Sequence, residues 1–90
     1  MNFQLPPHFT LARLAEGLGP LTAAADEADL TLDASEVVQI DTAGLQALLA
    51  VARRRKARGL TLKWTSSQPL DAMARAAGLA VELGLAPGGA

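Results

Sequence analysis

The sequence predicts an α/β domain with a mostly parallel sheet of about four to five strands and helices packed mainly on one face. Short β-branched or leucine-rich runs alternate along the chain with longer segments whose apolar residues recur at helical spacing. The clearest such segment, residues 42–58, carries apolar residues three and four positions apart and is followed by Gly59, a residue type that commonly ends helices.

The N-terminal third contains two predicted strands and a short helix. Residues 2–5 form a short strand that ends at two prolines, and residues 8–14 alternate well enough to form a second. We expect these two strands to pair as an edge hairpin. Pro20 suits the first position of a helix over residues 20–28.

The remaining elements alternate in the same way. Residues 30–33 and 37–40 are predicted strands, and the long helix 42–58 follows them. Residues 60–65 alternate as a further strand, and residues 68–77 form a third helix with a glycine stop. Residues 80–85 are expected to be a last short strand or an extended tail.

Length and composition indicate one small domain. The 90 residues are half hydrophobic, enough for one core, and we expect a core over residues 8–85 with a disordered tail at 86–90. The net charge of −1 argues against non-specific nucleic-acid binding. Without cysteine, a signal-peptide pattern or a long apolar run, the sequence predicts a cytoplasmic protein that does not insert into a membrane.

An Asp-Thr-Ala-Gly-Leu segment at residues 41–45 joins a β-branched run to the start of the long helix. Unpaired N–H groups and a positive dipole end at a helix start would stabilise a phosphate on Thr42. With the strand at residues 30–33, the segment resembles the Asp-Ser/Thr-x-Gly-Leu switch of the STAS domain family, which includes anti-sigma-factor antagonists and the cytoplasmic tails of sulfate transporters. The resemblance spans about residues 9–83 and implies a STAS-like fold.

The same resemblance implies that the Thr42 hydroxyl either accepts phosphate from a partner serine/threonine kinase or contacts the partner directly. A helix-capping hydroxyl is the alternative role. Thr42 stands where Ser is commoner in the family, and Ala43 replaces the following Ser. These departures favour partner contact over phosphorylation.

Four residues are candidates for the same site as Thr42. Asp33 and Asp41 end adjacent segments and are predicted to lie on the same side of the sheet, with Ser35 nearby; each carboxylate is alternatively a plain cap. Gly44 costs stability in a helix relative to Ala, so it predicts close backbone approach by a partner or by the neighbouring strand.

The long helix carries a second apolar strip beside its core-facing stripe, formed by Ala43, Ala47, Ala50 and Val51. A helix apolar over so wide an arc has more apolar surface than one core needs, so we predict that the strip and the Asp41–Gly44 segment bind a partner protein. Packing of the strip on the flank of the sheet is the alternative.

Neither the cations nor the histidine predict chemistry. The cations near the end of the long helix suit its negative dipole end, so we expect them to be solvated: Arg53, Arg54, Arg55, Lys56 and Arg58. His8 has no Ser or Cys arrangement that would make it a base, and the sequence has no glycine-rich phosphate loop or metal-ligand cluster. We expect no catalysis, no cofactor and no metal.

The resemblance leaves three roles open. The first is an anti-sigma-factor antagonist that binds a kinase or an anti-sigma factor, with phosphorylation of Thr42 as the switch. The second is an accessory subunit that binds the ATPase of a phospholipid-transport ABC system, since such subunits also carry Asp-Thr-Ala-Gly-Leu. The third is a small STAS protein of a chemotaxis or similar signalling cluster.

Overall fold

The structure, a computed structural model, describes residues 1–85, so the predicted tail at 86–90 lies outside the described residues. The elements in chain order are β1 Asn2–Gln4, β2 His8–Phe9, α1 Leu11–Ala24, β3 Thr31–Asp33, β4 Gln39–Ile40, α2 Thr42–Ala57, β5 Lys63–Thr65, α3 Gln68–Ala76 and α4 Ala80–Leu83. The predicted α/β class is confirmed.

The strands pair in parallel and form two small sheets. One has the order β1-β3-β5, and the other consists of β2 and β4. In the larger sheet the register aligns Phe3, Leu32 and Trp64. Leu32 is buried and the other two pack against the core, whereas the alternate positions are polar and at least partly exposed. The helices therefore cover one face of this sheet, as predicted.

The N-terminal third differs most from the sequence prediction. The expected edge hairpin is wrong, because β1 pairs with β3 and β2 pairs with β4. The predicted strand over residues 8–14 stops at Phe9, and α1 already begins at Leu11. Leu11 is 70% exposed. The alternation therefore did not mark a buried strand face.

Helix α1 also contains Pro20, which the sequence placed at a helix start. Proline inside a helix removes one backbone hydrogen bond, a cost that tertiary packing has to offset. Leu21 and Ala24 supply that packing, since each is 1% exposed within the core. The second half of α1 is therefore held by burial rather than by helix propensity.

The C-terminal segment is helical, not extended. Gly78 adopts a positive φ of 72° after α3, and α4 follows in place of the predicted last strand. Leu83 in α4 is buried, and its carbonyl accepts a hydrogen bond of 2.9 Å from the Trp64 indole N–H. A helical turn thus buries one leucine and satisfies the tryptophan, while Val81 remains exposed.

The prediction that all the cations near the end of α2 are solvated is wrong for Arg55. Its side chain is fully buried, and its guanidinium donates to four backbone carbonyl groups at 2.6–3.1 Å. The acceptors are Ala25, Glu27 and Ala28 just after α1, and Thr61 before β5. Arg55 therefore joins three segments of the chain, and its planar fork suits this geometry better than an ammonium would.

The other arginines near the end of α2 lie at the surface, as predicted. Arg54 and Arg58 pair with Asp26, and Arg53 pairs with Glu82. Hydrogen bonding and charge from Arg54 lower the pKa of the Asp26 carboxyl. Exposed pairs of this kind contribute little to stability.

Within residues 1–85, no helix has both the length and the apolar character needed to cross a lipid bilayer.

Candidate functional site

The site begins with Asp41, which lies between the starts of two helices. Its Oδ1 accepts a hydrogen bond of 2.9 Å from the Gly44 N–H of α2, which makes Asp41 the N-cap of that helix. Its Oδ2 accepts a hydrogen bond of 3.0 Å from the Leu11 N–H of α1. The N-cap residue of α1, Thr10, makes no side-chain capping bond. One carboxylate thus serves two helix N-termini.

These bonds favour the ionised form of Asp41. The hydrogen bonds from Leu11 and Gly44 lower the pKa of its carboxyl below the usual value. The two positive helix ends act in the same direction. Asp41 is therefore an anion, and each of its two oxygens accepts one backbone hydrogen bond.

Thr42 is the first residue of α2 and is exposed. Asp41 takes the capping role that the sequence left open for the Thr42 hydroxyl. Among residues 1–85 the hydroxyl group of Thr42 makes no hydrogen bond, in contrast to Thr22, whose hydroxyl donates to the Leu18 carbonyl at 2.8 Å. The geometry therefore presents a hydroxyl at a helix start where a partner can reach it.

Position 44 has to be glycine because β2 lies too close to the start of α2 for a side chain there. A Cβ atom at this position would lie 2.1 Å from the Phe9 carbonyl oxygen and 2.9 Å from Phe9 Cδ2. Of the two explanations for close approach, the neighbouring strand is therefore the one seen. Gly44 is also buried, so its place in the site is to let the start of α2 lie against β2.

The small-residue strip of α2 divides between surface and core. Ala50 is exposed, Ala43 and Ala47 are partly buried, and Val51 is 6% exposed and belongs to the hydrophobic core. A contact made by the side chains of this strip therefore falls mainly on its alanines, whereas Val51 is largely buried at the floor of the groove between α1 and α2.

Ala47 and Ala50 form one side of a shallow groove of about 290 Å³ between α1 and α2. Leu18 and Thr22 of α1 line the other side, with Leu18 45% exposed. The groove begins at Ala47, about one and a half helical turns beyond Thr42. An apolar depression here is consistent with the predicted use of this helix face.

Asp33 and Ser35 lie at a different place from the one predicted. Asp33 ends β3 in the larger sheet, whereas Asp41 follows β4 in the smaller one, so the two residues do not end neighbouring strands of one sheet. Asp33 Oδ1 accepts the Ser35 N–H at 2.9 Å, and hydrogen bonding from Ser35 lowers the pKa of the Asp33 carboxyl. This pair stabilises a turn and has no contact with Thr42 among the described hydrogen bonds.

The structural roles of two residues were not predicted from the sequence. Leu11 was assigned to a strand, although its N–H helps to hold Asp41. Arg55 was assigned to solvent, although it lies three residues after Ala52 and seven after Leu48, on the buried stripe of α2. That spacing was a usable signal for Arg55. No comparable signal marked Leu11.

No group of three or more His, Cys, Asp or Glu side chains with metal-binding geometry is found in residues 1–85. The polar groups of the site are hydrogen-bond acceptors engaged by backbone N–H groups, together with the free hydroxyl of Thr42. The arrangement can accept a contact or a modification at Thr42.

The structure contains a parallel strand that leads into a helix capped by an Asp, with an exposed hydroxyl residue and a buried glycine in the first turn. This is the arrangement that the sequence predicted from its resemblance to a family of domains. Residues 8–86 match the family model described as "Mlab, STAS domain", and the chain belongs to the STAS domain family. No curated protein matches the chain. Membership indicates a regulatory or accessory role in general and protein–protein interaction as its means.

Proposed function

We propose that this chain is a non-catalytic STAS protein that binds a partner protein through the start of α2, with Thr42 at the centre of the contact. The observation that carries the proposal is the exposed Thr42 hydroxyl beside a cap already completed by Asp41. A group that the fold does not use is available to a partner. The groove lined by Ala47 and Ala50 extends the contact along the same helix.

One form of the proposal is the anti-sigma-factor antagonist type. A partner serine/threonine kinase would phosphorylate Thr42, and the added charge would end binding because a phosphate buried in an apolar interface has to be desolvated. The accessible hydroxyl supports this form. The expected result is transfer of one phosphate to the wild-type chain and none to Thr42→Ala.

The other form is an accessory subunit that binds the ATPase of a phospholipid-transport ABC system through the same residues. Two observations favour it: the departures from the phosphoacceptor pattern, Thr42 followed by Ala43, and a family model described by Mlab rather than by an antagonist. In this form the Thr42 hydroxyl is a direct contact, and no phosphate is needed. A chemotaxis-cluster role has no observation of its own.

The experiment that separates these forms uses the candidate partners encoded beside the gene: a kinase or anti-sigma factor, or an ABC ATPase. Wild type and Thr42→Ala are compared for equilibrium binding and for phosphate transfer. Phosphate on Thr42 from a cognate kinase supports the antagonist form. Binding to the ATPase that weakens in Thr42→Ala, with no phosphate, supports the accessory form.

The groove gives a second test of the partner-binding surface. Ala50→Glu places a charge on the exposed part of the strip and should weaken binding while leaving the melting temperature near that of wild type. Val51→Glu buries a charge in the core and should lower the melting temperature. Unchanged binding by Ala50→Glu would remove the groove from the proposed contact.

We further propose that the chain has no turnover of its own, including hydrolysis of ATP or GTP. Such chemistry requires a phosphate-binding loop, metal-binding carboxylates or an activated nucleophile. The carboxylate beside Thr42 accepts two backbone N–H groups, and among residues 1–85 it has no hydrogen bond to the Thr42 hydroxyl. Steady hydrolysis that disappears in Asp41→Ala would overturn this proposal.

A further inference from the structure

Among the described residues, Asp41 is the only side chain whose hydrogen bonds connect the start of α1 to the start of α2. Each of its oxygens accepts one backbone N–H, from Leu11 on one side and Gly44 on the other. Strands β2 and β4 lead into these helices in parallel, with His8 opposite Gln39 and Phe9 opposite Ile40. The two helix starts are thus neighbours, and the carboxylate lies between them.

The first half of α1 is weakly held apart from this bond. None of residues 11–19 is buried, and the first buried residue of the helix is Leu21. Leu14 packs only partly against the core, and the Arg13–Glu16 ion pair is long, at 3.8 Å, and exposed. Pro20 removes one hydrogen bond from the middle of the helix. Local opening of residues 11–19 therefore has few contacts to break.

The start of α2 is fixed by contrast. Gly44 lies against the Phe9 backbone with no space for even a methyl group, and Leu45 beside it is buried. A change in charge at this point cannot easily move α2 away from β2. The element free to respond is the first half of α1.

We propose that Asp41 couples the occupation of Thr42 to the order of residues 11–19. Negative charge that arrives at Thr42, as phosphate or as a partner's carboxylate, repels the Asp41 carboxylate, and because the start of α2 is fixed against β2 the displacement falls on the bond to α1. Asp41 then loses its bond to the Leu11 N–H, and the first half of α1 opens. The proposed coupling describes how the Thr42 site is regulated, and it rests on the proposed function.

The test is amide hydrogen exchange of the intact chain without any partner, read separately over residues 12–19 and 43–57. Thr42→Glu supplies the charge, and Asp41→Asn removes the charge of the shared acceptor. Each should speed exchange over residues 12–19 by roughly three- to tenfold, the effect of weakening one hydrogen bond, with little change over residues 43–57.

Leu11→Pro removes the N–H donor while leaving Asp41 intact. The N1 position tolerates proline, and Thr10 already has the extended φ of −126° and ψ of 166° that a residue before proline needs. Leu11→Pro alone, without a charge at Thr42, should show the faster exchange over residues 12–19. Adding Thr42→Glu to it should produce no further change, because the bond that transmits the charge is gone.

Two matched controls keep the test specific. Gln68→Glu places the same charge at the first position of α3, and Asp33→Asn neutralises another hydrogen-bonded carboxylate. Both should leave residues 12–19 at the wild-type rate. Exchange that is unchanged in Thr42→Glu, or raised equally in all helices, would overturn the coupling. Because no partner is present, failure of the proposed partner binding would be seen elsewhere and would not alter this result.

Discussion

Each end of α2 has a charged side chain that connects α2 to α1 or to the segment after it. The two side chains have opposite charges and differ in exposure. At the N-terminal end, Asp41 accepts N–H groups from α1 and α2. At the C-terminal end, Arg55 donates to carbonyl groups that follow α1. Each charge suits the dipole end it faces. Asp41 is partly exposed and Arg55 is fully buried, so only the first end can exchange its contacts for those of a partner.

The largest loss of stability is expected from a change at Arg55, the buried side chain near the C-terminal end of α2. Arg55→Met keeps much of the aliphatic stem but leaves four carbonyl groups without their donor. Buried acceptors that lose a partner are costly, so the free energy of unfolding should fall by about 3 kcal/mol. Urea denaturation of this variant measures the loss. Lys56→Met, at the exposed neighbouring position, is the control and should change stability by less than about 0.5 kcal/mol. Equal stability of the two variants would mean that Arg55 does not hold the end of α1.

At the other end, Gly44→Ala should be the most damaging small change. A helix normally gains up to about 1 kcal/mol from this substitution. Here the new methyl group would meet the Phe9 carbonyl oxygen, and overpacking against backbone costs about 1 to 3 kcal/mol, so we expect net destabilisation. Gly17→Ala, with open space around the added Cβ, should instead be neutral or stabilising. Thermal melts should show a lower melting temperature for Gly44→Ala and an unchanged or higher one for Gly17→Ala.

A smaller and pH-dependent effect is expected from Asp41→Asn. The pKa of the Asp41 carboxyl is lowered in the folded state, so its charge contributes stability above the usual value of 3.8. That contribution is lost as the pH falls through the lowered pKa. The difference in stability between wild type and Asp41→Asn should therefore be present at pH 7 and shrink below pH 3.8. A difference that grows on acidification would contradict the hydrogen-bonding role of the carboxylate.

The C-terminal two thirds of the domain were easier to predict than the first third. The apolar stripe and glycine stop of α2 located that helix nearly to the residue, because burial and capping agree with local propensity there. In α1, Gly17, Gly19 and Pro20 argue against a continuous helix; burial of Leu21 and Ala24 holds its second half, and the Asp41 carboxylate caps its first residue. Tertiary packing overrode propensity, which no local pattern reveals.

The same division holds within the site. The position of Thr42 at a helix start followed from the residues alone, and so did the need for a glycine at position 44. The double role of Asp41 did not, because its second partner, Leu11, is 30 positions away in the chain. The buried role of Arg55 depends likewise on carbonyl groups from segments that are distant in sequence.

The smallest effect on stability is expected at Thr42, where side-chain replacement should be felt by a partner and not by the fold. Thr42→Ala removes an exposed hydroxyl group with no hydrogen bond among residues 1–85, so the free energy of unfolding should change by less than about 0.5 kcal/mol. Urea denaturation checks this directly. A larger loss would mean that the hydroxyl contributes to the fold after all.

The most direct test of the central claim is the affinity of the cognate partner for Thr42→Glu and Gln68→Glu, measured side by side by titration calorimetry. Both variants place one added negative charge at the first position of a helix, so both should keep near wild-type global stability, with the loosening in Thr42→Glu confined to the first half of α1. We expect Thr42→Glu to bind at least about tenfold more weakly than Gln68→Glu. Equal affinities would show that the start of α2 is not the surface that binds the partner.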